Sequence, residues 1–319
     1  MNKIEQEIES TGILPVINIP NSELAQDIAG AIINGGIYSL EITLRSADSL
    51  QSISNVKNIY PNMIIGAGTV LSLQMVDSAI EAGADYIVTP GYDQEIVDYC
   101  KKKNILIIPG CSTPTEIQKA LKNGLDVIKF FPAELNGGVR ALKLLSGPYP
   151  KAKFLPTGGI AFDNLGEYLE LPCVIACGGS YMANSELVKS KNYTEITALC
   201  KKALRISLGF ELAHVGINGE NESQAISIAS AVADIFDFQL KVGNSSCFAD
   251  KFVEVMKTKY YGTNGHIGFF TNSVKRAIVW FERKNLEVIK DSIKEDSKGL
   301  VSAYLKQEIG GFAIHVVRR

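Results

Sequence analysis

The chain of 319 residues is poor in the groups that usually announce chemistry: it has three histidines, one tryptophan and six cysteines. The cysteines, Cys100, Cys111, Cys173, Cys177, Cys200 and Cys247, are scattered and form no C-x-x-C pair. Most lie in apolar contexts, which reads as reduced core residues of a cytoplasmic protein. No apolar run approaches the ~20 residues that a membrane-spanning helix needs. The first residues, Met1-Asn2-Lys3-Ile4-Glu5-Gln6-Glu7, are acidic and polar, unlike a signal peptide. The formal net charge is −2 and no long basic or acidic run occurs, which argues against nucleic acid or an anionic membrane as the main partner. No G-x-G-x-x-G follows the first apolar run, so a dinucleotide fold is disfavoured.

What the chain does have is apolar content, 46%, ample for buried cores, and a length that suits two domains. Up to about residue 205 it repeats one unit, a short apolar run followed by an amphipathic stretch. The runs are Ile13–Ile19, Ser39–Arg45, Ile64–Val70, Tyr86–Gly91, Ile105–Gly110, Val127–Ala133, Lys153–Ile160 and Cys173–Ser180. Their spacing of roughly 20–25 residues is that of βα units. Helices are expected over Ser22–Asn34, Ser72–Ala82, Thr113–Lys122 and Asn192–Ile206; the third opens with the capping box Thr113-Pro114-Thr115-Glu116. Eight alternations point to a (β/α)8 TIM barrel, whose chemistry sits at the carboxyl ends of its strands.

The polar residues of this half gather at those ends. Leu40, Ile42 and Leu44 alternate with Glu41, Thr43 and Arg45, which places the second set inside the barrel. Such residues either form a structural Glu–Arg pair or act on a ligand. Glycines in Gly66-Ala67-Gly68-Thr69 let backbone approach a ligand. Thr157-Gly158-Gly159 and Gly178-Gly179-Ser180 follow the seventh and eighth runs, where barrels bind phosphate through backbone N–H groups. Lys129 stands in the middle of the apolar run Val127-Ile128-Lys129-Phe130-Phe131. It either snorkels to the strand end or is held among apolar neighbours, where its pKa should fall and the neutral amine can form a Schiff base.

Leu40-Glu41-Ile42-Thr43-Leu44-Arg45, Gly66-Ala67-Gly68-Thr69-Val70-Leu71, Thr89-Pro90-Gly91, Ile108-Pro109-Gly110, Lys129-Phe130-Phe131-Pro132-Ala133-Glu134, Pro156-Thr157-Gly158-Gly159-Ile160 and Gly178-Gly179-Ser180 together, in this order, resemble the 2-keto-3-deoxy-6-phosphogluconate and 4-hydroxy-2-oxoglutarate aldolase family. The resemblance implies a domain over 1–207 that is a cofactor-free class I aldolase, commonly trimeric, acting on a small keto acid. Lys129 would form the Schiff base and Glu41 would be the general acid/base. Arg45 and Thr69 would hold the substrate carboxylate, with Pro90 and Phe131 shaping the pyruvate pocket. Thr157, Gly158, Gly159, Gly179 and Ser180 would cradle the distal phosphate. The rival reading is a barrel that only binds a phosphorylated ligand, with Lys129 as a core residue.

From residue 208 to 319 the period changes. All three histidines, His214, His266 and His315, lie here, and the segment is duplicated. Ala213-His214-Val215-Gly216-Ile217 matches Gly265-His266-Ile267-Gly268-Phe269, each is followed by a helical stretch, and each half ends in a strand around Glu254 or His315. An α+β domain of duplicated βαβββ modules is expected. It resembles the vicinal oxygen chelate, or glyoxalase-like, superfamily, whose metal ligands occupy these places. The resemblance implies that His214, Glu254, His266 and His315 would hold a divalent ion such as Zn, Ni, Mn or Fe, although a Glu is usual where His315 stands. Otherwise the histidines are ordinary strand residues of a non-catalytic interaction module.

Overall fold

A computed structural model describes residues 2–319, which form two units that part between Ser207 and Leu208. In the first, β1 (Ile13–Ile17), β2 (Ser39–Thr43), β3 (Ile64–Gly68), β4 (Tyr86–Val88) and β5 (Leu106–Ile108) pair in parallel in that order. Pro109, with no N–H to give, separates β5 from its continuation β6 (Gly110–Cys111). The ladder runs on through β7 (Val127–Phe130) and β8 (Lys153–Pro156). Parallel bridges Phe154–Val174 and Thr157–Gly178 carry it to β9 (Cys177–Gly179), which pairs with β1, so the pairing returns to its first strand.

Helices fill the connections: α1 (Lys3–Thr11), α2 (Ala25–Asn34), α3 (Ser49–Ile59), α4 (Leu73–Glu81), α5 (Gln94–Lys102), α6 (Pro114–Lys122), α7 (Gly138–Ser146), α8 (Leu165–Leu169), α9 (Ser185–Lys189) and α10 (Tyr193–Leu208). Thr113 and Glu116 close the capping box at the head of α6. The expected cap at Ser22 is instead Asn21, which accepts from the Glu23 N–H and starts a 3-10 turn, Ser22–Leu24, ahead of α2.

Alternation decides what each strand does. Leu40 and Ile42 of β2 are fully buried, and so is Glu41 on the opposite face. Inward side chains of the lower layers, Leu14, Tyr86, Val88, Ile108, Val127 and Leu155, make one apolar cluster that Ile8 of α1 joins and against which Ile4 packs. The acidic amino-terminal segment is therefore an amphipathic helix that lies against the apolar end of this interior. Its signal was Ile4 and Ile8 at i, i+4. It begins at a capping box between Asn2 and Glu5 and stops at Gly12, φ 69°.

The second unit is one eight-stranded mixed sheet, in the spatial order Leu240–Val242, Ser246–Ala249, Val253–Met256, Glu211–Asn218, Gly265–Thr271, Phe312–Arg318, Gly299–Ile309 and Lys294–Asp296. It reads as β10 (Glu211–Asn218), α11 (Glu222–Phe236), β11 (Leu240–Val242), β12 (Ser246–Ala249) and β13 (Val253–Met256). Then come β14 (Gly265–Thr271), α12 (Val274–Arg283), β15 (Lys294–Asp296), β16 (Gly299–Ile309) and β17 (Phe312–Arg318). In each half the first strand pairs in parallel with the last, and the two first strands pair antiparallel at the centre of the sheet. Among the described residues no helix is long and apolar enough to cross a membrane.

Ile8 is fully buried in the first unit's interior cluster. Ile8→Ala should therefore lower that unit's unfolding free energy by about 2–5 kcal/mol in a urea titration. A change within about 0.5 kcal/mol would show that α1 is not part of this core.

Candidate functional site

Lys129 enters from β7 on the inward face, two residues above Val127, and its side chain is 7% exposed. It is not stranded among apolar groups, as the composition of its strand suggests. Its ammonium Nζ donates to both oxygens of Glu41, at 2.9 and 3.3 Å, and the Glu41 side chain is completely buried. Nor is Glu41 paired with Arg45, the structural alternative that β2 alone left open. A proton that crosses this contact leaves a neutral amine beside a neutral acid without changing the pair's total charge, so a nucleophile can be produced inside the protein. The Phe131 ring lies 5.4 Å from Nζ.

Room for the carboxylate comes from β3. A Cβ built on Gly68 would stand 2.2 Å from Glu41 Oε1, so any side chain there displaces the acid. The glycines of Gly66-Ala67-Gly68 thus make space for protein side chains, where the sequence suggested an approach of backbone to ligand. The next residue, Thr69, has φ 60°, a left-handed conformation that a β-branched residue rarely adopts.

Lys129 and Glu41 open into a cavity of ≈ 320 Å³. Arg45, Thr69, Pro90, Phe131, Thr157, Gly158, Gly159, Gly179 and Ser180, the residues given binding roles from the sequence, all line it. Arg45 and Ser180 are exposed at its rim. Gly158 and Gly159 have φ 96° and 83°, and the stem of Glu134, which accepts from the Tyr168 hydroxyl, occupies the space where a Cβ on Gly159 would go. Val16, Thr43 and Ile160 also line the cavity. Thr43 was legible from the alternation of β2, and Ile160, four residues past β8, ends a motif of the family resemblance; Val16, an apolar residue of β1, carried no signal.

In the second unit the four residues drawn from the duplication meet. His214 Nε2 lies 3.1 Å from His266 Nε2, 3.2 Å from His315 Nε2 and 3.4 Å from Glu254 Oε2, and His266 Nε2 is 3.1 Å from the same oxygen. The register explains it. Gly216 lies between His266 and Glu254 on neighbouring strands, and Gly268 lies between His214 and His315. A Cβ on Gly216 would stand 2.0 Å from the His266 ring, and one on Gly268 would be 2.6 Å from both His214 and His315. The repeated His-x-Gly is thus reciprocal: each module's glycine makes room for the other's imidazole. Burial lowers the pKa of His214; burial, with the neighbouring imidazoles, holds His315 down to about 3. Burial raises the Glu254 carboxyl, but hydrogen bonds from His266 and Ser246 and the charge of two imidazoles outweigh it and leave it below the ordinary range.

The first unit thus carries a buried lysine–carboxylate pair, opening into a cavity, on a parallel strand ladder of α/β type, and comparison with known proteins says which family it belongs to. The family described as KDPG and KHG aldolase matches residues 4–199, and the chain belongs to it. The 2-dehydro-3-deoxy-phosphogluconate aldolase of Treponema pallidum (strain Nichols) is 38% identical over 206 residues, 65% of this chain and 98% of that one. The KHG/KDPG aldolase of Escherichia coli (strain K12) is 38% identical over 200 residues, 62% of this chain and 94% of that one. Among solved structures, the KDPG aldolase of Legionella pneumophila, with pyruvate captured as a covalent carbinolamine intermediate, is similar with a TM-score of 0.62 and 37% identity, over 63% of this chain and 98% of that one.

The contact between Gly68 and Glu41 can be isolated by a double-mutant cycle. Gly68→Ala should cost about 1–3 kcal/mol of unfolding free energy by overpacking. In a Glu41→Ala background the same change should cost less than about 0.5 kcal/mol. Equal costs in both backgrounds would show that Gly68 is constrained by something other than the carboxylate.

Proposed function

We propose that the first unit is a class I aldolase on a (β/α)8 barrel, which cleaves 2-keto-3-deoxy-6-phosphogluconate to pyruvate and glyceraldehyde 3-phosphate and also cleaves 4-hydroxy-2-oxoglutarate to pyruvate and glyoxylate. The observation that carries this reading is the buried contact of 2.9 Å between Lys129 Nζ and Glu41 inside the cavity.

In the proposed reaction Glu41 takes a proton from the Lys129 ammonium. The free amine adds to the C2 ketone, and the proton held by Glu41 leaves with the carbinolamine hydroxyl as water, which gives the protonated imine and restores the Glu41 carboxylate. Glu41 then accepts the C4 hydroxyl proton as the C3–C4 bond breaks, and the electron pair passes into the imine to give an enamine; the aldehyde leaves. Protonation of C3 by Glu41 and hydrolysis release pyruvate and restore the lysine. Arg45 suits the substrate carboxylate because a guanidinium grips it through two parallel N–H groups. Thr69, which lines the same cavity, would hold the same group, while Pro90 and Phe131 would bound the pyruvate methyl. The backbone of Thr157-Gly158-Gly159 and Gly179-Ser180 would hold the distal phosphate, whose charge is matched by N–H groups in turns of this kind.

For the second unit we infer a vicinal oxygen chelate module that holds one divalent ion through His214, Glu254, His266 and His315. The donor spacings of 3.1–3.4 Å are close to the ~3.3 Å edge of a tetrahedron whose arms are about 2.0–2.1 Å long. Nδ1 of His266 and His315 is buried without a hydrogen-bond partner among the described residues. Crowded imidazole nitrogens repel unless a proton or cation lies between them, and a cation on Nε2 leaves the proton on Nδ1. A bound ion would act as a Lewis acid toward an oxygen ligand.

Borohydride reduction in the presence of pyruvate should leave a covalent adduct on Lys129, located by peptide mass spectrometry. Lys129→Ala should abolish both the adduct and keto-acid cleavage. Near-full cleavage by that variant would remove the Schiff-base reading and leave a barrel that binds a phosphorylated ligand.

A further inference from the structure

Gly158 and Gly159, in the turn after β8, line the cavity of the first unit, and the carbonyls of both are tied to protein donors. The Gly158 carbonyl accepts from the Glu134 N–H at 3.1 Å, and the Gly159 carbonyl accepts from Asn164 Nδ2 at 3.0 Å. A trans peptide points its N–H opposite to its carbonyl. Holding these two carbonyls therefore sets the direction of the Gly159 and Ile160 N–H groups, which no acceptor among the described residues takes. Successive free N–H groups in a turn of this kind make an anion-binding concavity.

Three side chains behind the turn hold it in this form. Asn164 precedes α8, a place where an asparagine side chain commonly caps the helix. It makes no cap here. Its Oδ1 accepts from the Ala161 N–H at 2.9 Å while its Nδ2 donates to Gly159, so one amide staples the turn at two points. One helical turn later, the fully buried Tyr168 donates its hydroxyl to Glu134 Oε1. That bond pins an exposed side chain, and a Cβ on Gly159 would stand 2.4 Å from its Cγ. The cavity is lined by the turn and not by Asn164, Tyr168 or Glu134, so any effect of these three on a ligand passes through the turn.

We propose that Asn164 and the Tyr168–Glu134 pair are positioning residues that give the barrel its preference for a phosphorylated substrate, by holding the Gly159 and Ile160 N–H groups toward the distal phosphate. A turn ordered in advance spares the ligand the entropy cost of ordering it on binding. A turn set free also lets a carbonyl oxygen face the phosphate oxygens, which repel it. The charge of Glu134 is not required; its stem and one acceptor oxygen are. A substrate too short to reach the turn, such as 4-hydroxy-2-oxoglutarate, gains nothing from the brace. The inference rests on the aldolase reading of the first unit, and it adds three residues that stand outside the cavity wall.

The test compares kcat/KM for 2-keto-3-deoxy-6-phosphogluconate and for 4-hydroxy-2-oxoglutarate in the full chain. Asn164→Ala and Glu134→Ala should each lower the first at least ~10-fold and the second less than ~2-fold. Glu134→Gln keeps the stem and an acceptor for Tyr168, and should stay within ~2-fold of the wild type on both substrates. Asn164→Asp still accepts from the Ala161 N–H but sets a carboxylate against the Gly159 carbonyl, and should cost the phosphorylated substrate more than Asn164→Ala does. If Asn164→Ala does not fold, Tyr168→Phe, which loses a single hydroxyl, decides by the same split. Borohydride trapping of pyruvate at Lys129 should persist in every folded variant. Equal losses on the two substrates, or no loss on either, would overturn the positioning role and leave the aldolase reading standing. A wild type that cleaves neither substrate and traps no pyruvate would overturn that reading, and this inference with it.

Discussion

The first unit depends on two opposite charges buried together. An ammonium and a carboxylate both withdrawn from water are tolerated only as a well-made pair, and removing one partner from such a pair typically costs about 3–5 kcal/mol. The features around Lys129 and Glu41 follow from that constraint. Inward alternation on β2 and β7 aims the two side chains at each other, and Gly68 leaves the volume that the carboxylate fills. Below them the interior is apolar and is lined by Ile8 of α1. Above them the wall turns polar, with Arg45 at the rim and the glycine turns of β8 and β9 along one part of it. A stable floor and a reactive mouth are thus built from successive layers of the same strands, and the pair marks the boundary between them.

The second unit solves a related problem with a duplicated module. Three imidazoles and a carboxylate can crowd onto one point only if neighbouring strands carry no side chain there. The two His-x-Gly segments provide this reciprocally, because pairing their strands antiparallel sets each histidine opposite the other glycine. One short motif, copied once, therefore creates both the donors and the space for them. The third imidazole, His315 of β17, also faces a glycine, Gly268, across the register.

Much of this was legible in the sequence because it is local. Period-2 alternation put Glu41, Thr43 and Arg45 on one face, and Thr113 with Glu116 marked the head of α6. Self-similarity around His214 and His266 exposed the duplication. The ordered motifs of the first half matched the aldolase family, to which residues 4–199 belong. What escaped is long-range. Nothing near Lys129 in the chain says that its partner stands 88 residues earlier, so its strand alone left open whether it snorkels or stays among apolar groups, and β2 alone left a Glu–Arg pair open. Gly68 read as room for a ligand, and Gly216 and Gly268 only as parts of a repeat, until the neighbouring strand was known. The helix α1 was passed over because its acidic composition masked two isoleucines on one face. Val16 looks like any strand residue, and only closure of the ladder brings it to the cavity.

The central claim is that Glu41 moves protons for chemistry that Lys129 carries covalently, and exchange of the pyruvate methyl protons in D2O tests it most directly. Formation of the enamine removes a C3 proton, and its reversal delivers a deuteron, so exchange followed by 1H NMR reports that step without an aldehyde. Glu41→Gln should still be trapped by borohydride at Lys129, while its exchange rate falls by roughly 10²–10⁴-fold, the usual effect of losing a general acid/base. Undiminished exchange in that variant would contradict the account and assign the proton to another group.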